Sequence, residues 1–223
     1  MGETIEIVAG DCRFTAYLAT AETGSGPGVL VLHSWWGLTD HFKRVCDRFA
    51  AEGFTAIAPD LYHGPQTDDP DEAERLLDAL DADQAKADIF AALDVLKAQP
   101  ATRDGGLGVV GFSMGGAQAM ANAPLRPDVR AVILFYGMAL PDFAPLRAAV
   151  QGHFVANDYP PGQDERELER RLRAADKTVD IYVYPGAEHA FFNPTRPEAY
   201  DEAAARLAWT RTLDFLHRHL GSV

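Results

Sequence analysis

The sequence is poor in cysteine and in long apolar runs. It has only 2 cysteines, Cys12 and Cys46, and no Cys-x-x-Cys spacing, which argues against a disulfide framework and favours a reducing compartment. We expect both cysteines to be small, buried apolar residues. The N-terminus carries acidic residues instead of a signal peptide, and no stretch is long enough to span a bilayer. We therefore expect a cytoplasmic protein without a membrane partner.

Basic residues are also scarce. Lysine and arginine number 20 against 33 aspartates and glutamates, so the formal net charge is −13. Such a surface repels nucleic acid, which we exclude as a partner. No His-Glu-x-x-His, cysteine cluster or Gly-x-Gly-x-x-Gly stands where a metal or an organic cofactor would require it, so we expect neither. The 223 residues, 47% of them apolar, fit one domain over 1–223, as a monomer or small homo-oligomer.

Apolar patterning predicts a β-hairpin followed by alternating strands and helices. The hairpin strands are 4–8 and 12–19, joined by a turn at Gly10-Asp11. Between the strands and over 198–220, apolar residues recur at helical spacing. This order predicts an α/β fold with a mostly parallel central sheet flanked by helices, whose chemistry collects at the carboxyl ends of the strands. Continuous apolar runs predict buried strands at 28–33, 54–58, 108–112, 131–136, 152–156 and 179–184.

A serine directly follows one of these strands. Residues 111–115, Gly-Phe-Ser-Met-Gly, match Gly-x-Ser-x-Gly between a predicted strand and an alanine-rich helix. In α/β-hydrolases this motif is a tight turn that needs small neighbours and exposes the serine hydroxyl at a helix N-terminus. A glycine-rich turn with a surface serine is the alternative. The strand and helix around the motif favour Ser113 as a nucleophile.

Two more polar residues follow predicted strands. Asp158 comes just after strand 152–156, and His189 lies in a glycine-containing loop after strand 179–184. An aspartate there can orient a histidine, which takes a hydroxyl proton and returns it to the leaving group. Alone, each is as readily a turn aspartate or a surface histidine. Because Ser113, Asp158 and His189 occur in the order that the fold requires, we expect a catalytic triad.

The loop after the first buried strand is a candidate for half of an oxyanion hole. In α/β-hydrolases this loop supplies one backbone N–H, and the residue after the nucleophile supplies the other. We assign these donors to Trp35 and Met114. For Trp35 and Trp36 the alternative is core packing, but we expect at least one of them to form a pocket wall.

The sequence resembles the dienelactone hydrolase family, whose members are lidless α/β-hydrolases that open cyclic or small esters. The resemblance covers nearly the whole chain and implies an α/β-hydrolase fold with no cap domain. It rests on Leu-Val-Leu-His-Ser-Trp-Trp-Gly-Leu (30–38), Gly-Phe-Thr-Ala-Ile-Ala-Pro-Asp-Leu-Tyr (53–62), Gly-Phe-Ser-Met-Gly-Gly (111–116), Tyr-Pro-Gly-Ala-Glu-His-Ala-Phe (184–191) and the Thr-Leu-Asp-Phe-Leu of the terminal helix.

Three positions depart from the best-known members of that family. Those members carry a cysteine nucleophile where this chain has Ser113, and a glutamate that helps to deprotonate the thiol where it has Ser34. A serine hydroxyl is far less acidic than a thiol, so proton transfer falls to His189. Their arginine that holds the substrate carboxylate is replaced by Phe192-Asn193, and the nearest arginine is Arg196. These departures point away from an anionic dienelactone.

We therefore expect a carboxylesterase- or lactonase-like serine hydrolase that forms an acyl-enzyme on Ser113. An aromatic pocket wall favours small neutral ester or lactone substrates. A thioesterase or peptidase on the same scaffold, and a non-catalytic pseudo-hydrolase that binds a small ligand, remain alternatives. The pocket candidates are Ser34, Trp36, Phe112, Tyr136, Phe191 and Phe192.

Overall fold

A computed structural model describes residues 1–10 and 12–221. Asp11 of the predicted turn and the last two positions of the expected domain lie outside the described residues. Within the described part, the chain forms two compact units, Met1–Leu107 and the chain from Gly108 onward. The single domain over 1–223 stays a prediction.

The first unit opens with the predicted antiparallel hairpin. Its elements are β1 (Glu3–Ala9), β2 (Cys12–Ala19), β3 (Gly26–Leu32), α1 (Asp40–Ala51), β4 (Thr55–Pro59), α2 (Pro70–Asp78), α3 (Ala82–Ala98) and the start of β5 (Thr102–Phe112). The strand order is β1-β2-β4-β3-β5. β2 pairs antiparallel with both β1 and β4, whereas β3 and β4 are parallel. Helices α1 and α3 pack against these strands.

The second unit continues the alternation. After β5 come α4 (Met114–Asn122), a short 3₁₀ turn (Ala123–Leu125), β6 (Val129–Phe135), β7 (Ala149–Val155), α5 (Glu165–Ala174), β8 (Val179–Tyr184) and α6 (Glu202–Leu220). The strand order is β5-β6-β7-β8, and the pairs β6–β7 and β7–β8 are parallel. Helix α4 packs on β6, α5 on β8, and α6 on β6 and β7. The predicted α/β architecture with a mostly parallel sheet is confirmed.

Burial explains why the apolar runs become strands. Every residue of β3, β4 and β7 is buried, as expected of strands covered on both faces. Aspartates begin most of the helices: the side chains of Asp69, Asp81, Asp164 and Asp201 accept hydrogen bonds from amides in the first turns of α2, α3, α5 and α6. None of the described helices has both the length and the apolar character needed to cross a membrane.

Some details differ from the sequence analysis. Helix α5 was missed because most of its residues are charged and Leu168 and Leu172 alone form its buried apolar face. Helix α6 begins at Glu202, after its Asp201 cap, instead of at 198. Cys46 is buried as expected, but Cys12, the first residue of β2, is only half-buried.

Candidate active site

Ser113 lies in a strained turn between β5 and α4. Its backbone adopts φ 52° and ψ −115°, which a residue with a side chain rarely occupies and which costs about 1–3 kcal/mol. Backbone hydrogen bonds hold this conformation. The Ser113 N–H donates to the carbonyl oxygen of Phe135 at 2.9 Å, and its carbonyl oxygen accepts from Gly116 N–H at 2.9 Å. The sequence therefore forms the sharp elbow that the Gly-x-Ser-x-Gly motif predicts.

Close backbone contacts require glycine around this turn. A Cβ at Gly111 would lie 2.1 Å from the carbonyl oxygen of Gly115. A Cβ at Gly137 would lie 1.8 Å from the carbonyl oxygen of Ser113 itself. Both distances are far below any van der Waals contact, so no side chain fits. The motif identified Gly111, whereas Gly137 was missed; its sequence signal is a glycine just past the end of β6.

The structure brings Ser113, His189 and Asp158 into one hydrogen-bonded chain. The Ser113 Oγ lies 3.0 Å from the His189 Nε2, and the His189 Nδ1 lies 2.7 Å from the Asp158 Oδ2. A carboxylate oxygen can only accept, so Nδ1–H donates to Asp158 and Nε2 accepts from the Ser113 hydroxyl. This is the arrangement of a nucleophile, a base and a residue that orients the base.

The loops that carry His189 and Asp158 are shaped by unusual backbone conformations. Asn157 and Ala190, neighbours of the two residues, have φ values of 61° and 69°. The His189 side chain is 43% exposed, whereas that of Asp158 is 16% exposed. The imidazole is therefore open to solvent and to an incoming substrate, and the carboxylate is shielded.

Tyrosines pack beside these residues. The ring of Tyr136 lies 5.0 Å from that of His189. The Tyr159 hydroxyl donates to the carbonyl oxygen of Tyr136 at 3.2 Å. Burial, and secondarily the charge of Asp158, raise the pKa of Tyr159 to about 12, so this phenol stays a neutral donor. Tyr159, which the sequence analysis did not identify, ties the Asp158 loop to the end of β6.

The two residues assigned to the oxyanion hole lie in different units. Met114 is the first residue of α4, and the N-terminus of a helix favours negative charge. Trp35 lies in the loop after β3, half-exposed, with its ring 5.0 Å from that of Trp36 in an edge-to-face arrangement. Their joint role stays a prediction.

A buried histidine, His33, fixes the loop that carries Trp35. Its Nδ1 donates to the carbonyl oxygen of Ser34 at 2.7 Å, and its Nε2 accepts from the Leu61 N–H at 3.1 Å. Complete burial lowers the pKa of His33, which keeps the ring neutral and able to do both. The sequence analysis missed this role because nothing in the sequence shows which backbone groups a histidine contacts.

Phe112, Phe191 and Phe192, which the sequence analysis named as pocket candidates, are buried in the structure. Their exposed fractions are 0%, 0% and 2%. The rings pack in an aromatic cluster, with Phe112 and Phe192 5.5 Å apart. Burial of large apolar rings stabilises the core, so this packing explains the aromatic run after His189. Tyr136, only 2% exposed, also belongs mostly to the core.

Two of the positions at which the sequence departs from the resemblance, Asn193 and Ser34, are buried. Asn193 is buried, and its Oδ1 accepts from the amide and the hydroxyl of Thr195 at 3.0 and 2.8 Å. It therefore closes a turn. Ser34 is 5% exposed, and among the described residues its Oγ has no hydrogen-bond partner. Trp36 is half-exposed, which keeps it available as a pocket wall.

A cavity of about 710 Å³ adjoins Asp158. Its walls come from the loop 156–161, the first turns of α5, and Ile181 and Val183 of β8. Acidic side chains predominate, since Asp158, Asp164, Glu165 and Glu169 face a single arginine, Arg166. Glu165 and Glu169 pair with Arg166 and Arg173, so the excess negative charge at this cavity comes from Asp158 and Asp164.

The family of this chain follows from its similarity to known proteins. The family model described as "Dienelactone hydrolase family" matches residues 14–220. The chain belongs to the dienelactone hydrolase family. Protein usf of Aquifex pyrophilus is 36% identical to it over 238 residues, covering 99% of this chain and 100% of that protein.

Other dienelactone hydrolase-like proteins are similar to this chain over nearly its whole length. A candidate carboxymethylenebutenolidase of Aquifex aeolicus (strain VF5) is 32% identical over 238 residues, covering 99% of this chain and 100% of the relative. The crystal structure of a candidate dienelactone hydrolase from Klebsiella pneumoniae superimposes with a TM-score of 0.84 at 27% identity, covering 98% of this chain and 99% of that one. The chain is thus a carboxylic ester hydrolase with the dienelactone hydrolase fold.

Proposed function

We propose that this protein hydrolyses small neutral esters or lactones through an acyl-enzyme on Ser113. One observation carries the proposal: the continuous Ser113–His189–Asp158 hydrogen-bonded chain, with distances of 3.0 and 2.7 Å, that ends in a serine held at φ 52°. Membership of a family of ester hydrolases supports the same reaction class.

Acylation begins with proton transfer. The His189 Nε2 takes the hydroxyl proton of Ser113 as the Oγ attacks the carbonyl carbon of the substrate. The amide of Met114, at the N-terminus of α4, donates to the oxyanion of the tetrahedral intermediate. The protonated imidazole then gives its proton to the leaving alcohol, and the acyl group stays on the Oγ.

Deacylation repeats these steps with water. His189 removes a proton from a water molecule, which attacks the acyl carbonyl, and the proton returns to the Ser113 Oγ. Asp158 fixes the ring so that Nε2 faces the reaction, and its charge stabilises the imidazolium. This role requires a shielded carboxylate, which agrees with the low exposure of Asp158.

The surroundings of the site favour neutral substrates. Asn193, near the position where well-known relatives carry a carboxylate-binding arginine, is buried and holds Thr195. The cavity beside Asp158 is lined by four acidic side chains, and the whole chain has a net charge of −13. Ser113 and His189 do not line this cavity, but the Asp158 carboxylate and the negative net charge disfavour an anionic substrate, because like charges raise the free energy of binding.

A substrate panel tests the proposal. We expect p-nitrophenyl acetate and butyrate to be hydrolysed with a higher kcat/KM than an anionic dienelactone, and Ser113→Ala to remove both activities while the protein stays folded. Turnover of the anionic lactone alone would refute the substrate class. Preferential turnover of thioesters or peptides would indicate the alternative acyl-transfer enzymes, and no turnover of any acyl compound would indicate a pseudo-hydrolase.

A further inference from the structure

Three potential metal ligands meet in the first unit, outside the Ser113 site. Cys12 begins β2, His63 lies in the turn after β4, and Asp88 lies in α3. One ligand atom from each, the thiol sulfur, an imidazole nitrogen and a carboxylate oxygen, all lie within 4.8 Å of one another. Positions 51 and 25 residues apart in the chain meet here, so the fold itself creates the cluster.

Asp88 is the buried member. Its exposed fraction is 0%, which is costly for a carboxylate unless a cation or donors compensate. Its Oδ2 lies 2.7 Å from the His63 Nε2, and its Oδ1 accepts from the Gln84 side-chain amide at 2.8 Å. Gln84 thus orients one oxygen and leaves the other facing the cluster.

His63 is held in one orientation. Its ring stacks on Phe14, with centroids 5.6 Å apart and an interplanar angle of 9°. The Nδ1 lies 3.8 Å from the Cys12 sulfur, which is half-buried and reachable from solvent. The cluster therefore joins a shielded carboxylate to an accessible thiol.

We propose that Cys12, His63 and Asp88 bind a divalent transition-metal ion of the Zn²⁺ type. Zn²⁺ takes sulfur, nitrogen and oxygen ligands, and sites with three protein ligands hold water at the fourth position. Bond lengths of about 2.0–2.3 Å place tetrahedral ligands about 3.3–3.7 Å apart. The ion binds one nitrogen of the imidazole, and ligand atoms that lie at most 4.8 Å apart reach that geometry by shifts of up to about 1.5 Å.

Each of the three side chains can bind the ion in a form that is chemically reasonable at its position. The Cys12 thiol loses its proton to solvent and binds as thiolate, and the ion compensates the buried Asp88 charge. Gln84 continues to hold the other Asp88 oxygen, as partners of ligating carboxylates do. The site would join β2, the turn after β4 and α3. The sequence analysis expected no metal, because these residues form no ligand-spacing motif.

Competition binding tests the site. Metal-free protein is titrated with Zn²⁺ against a chromogenic chelator in a His189→Gln background, which removes the Ser113-site imidazole. We expect one Zn²⁺ per chain and at least a tenfold weaker Kd in Cys12→Ser, His63→Ala and Asp88→Asn. Cys46→Ala is the matched control, because Cys46 is buried in α1, and it should bind as the parent does.

Cobalt spectra identify the ligands. Substitution with Co²⁺ should give a thiolate-to-metal charge-transfer band that Cys12→Ser abolishes and Cys46→Ala retains. Binding that is equally tight in the parent and in Cys12→Ser, or a Co²⁺ spectrum without a thiolate band, would overturn the proposal. Should Asp88→Asn fail to fold, the Cys12 and His63 variants decide, since both side chains are partly exposed.

Discussion

We expect the free energy of unfolding to fall as the pH drops from about 7.5 to about 5.0, with His153 contributing a measurable share. His153 is fully buried in β7. Its Nδ1 accepts from the Tyr184 hydroxyl at 2.8 Å, and its Nε2 donates to the Gln151 Oε1 at 3.0 Å. Burial, followed by the charge of Arg211, lowers the pKa of His153 to about 3. The native ring is therefore neutral.

The size of the effect follows from proton linkage. In the unfolded chain a histidine titrates near pH 6.5, so between about pH 6.5 and 3 the unfolded state binds a proton that the native state does not. Stability is thus lost as pH falls through this window. Over the roughly 1.5 units from pH 6.5 to 5.0, at about 1.36 kcal/mol per unit, His153 costs about 2 kcal/mol. Buried His41, whose pKa burial also lowers to about 3, adds a similar amount.

Urea unfolding, followed by tryptophan fluorescence, measures the free energy of unfolding at about pH 7.5 and about pH 5.0. His153→Asn should be less stable than the parent at each pH, but its loss between them should be smaller by about 2 kcal/mol. Thr212→Val removes a hydroxyl 3.2 Å from the same ring yet keeps the titrating group, so it should retain the parent's loss. An undiminished loss in His153→Asn would refute the claim that the native ring stays neutral.

Two more predictions concern the Ser113 site. Asp158→Asn should lower kcat for a small ester by about 10⁴-fold with the fold intact, because the amide no longer holds the His189 tautomer; a loss below about tenfold would contradict that role. Gly137→Ala places a Cβ 1.8 Å from the Ser113 carbonyl oxygen and should abolish activity and lower the melting temperature. Gly24→Ala, in the first unit, also strains the backbone because Gly24 has φ 91°, but its Cβ meets nothing within 4 Å. It should keep full activity, and an equal loss of activity in the two variants would argue against crowding at the elbow.

Sequence patterns predicted most of the sheet, because buried parallel strands appear in the sequence as continuous apolar runs. β3, β4 and β6 illustrate this, each with almost no exposed residue. The positions of Ser113, Asp158 and His189 followed, since each comes just after such a run, and the structure brings their side chains together. Helix α5 lacked a comparable signal, because its exposed face dominates its composition.

Other features depend on contacts that no local pattern encodes. Gly137 matters because the Ser113 carbonyl oxygen approaches it, and His33 matters because it contacts two backbone groups in different segments. Phe191 and Phe192 were predicted to line the substrate pocket, because they follow His189 in the sequence. They pack into the core instead. The proximity of Cys12 to Asp88 was likewise not predicted, because the two residues are far apart in the sequence.

The most direct test of the central claim is active-site labelling with a fluorophosphonate, followed by peptide mapping. Such a reagent reacts with a serine hydroxyl only when a neighbouring base activates it. We predict one adduct per chain on the peptide that carries Ser113, none in Ser113→Ala, and at least a hundredfold slower labelling in His189→Ala. Folded parent protein that takes up no label, or takes it up at another residue, would contradict a Ser113 acyl-enzyme.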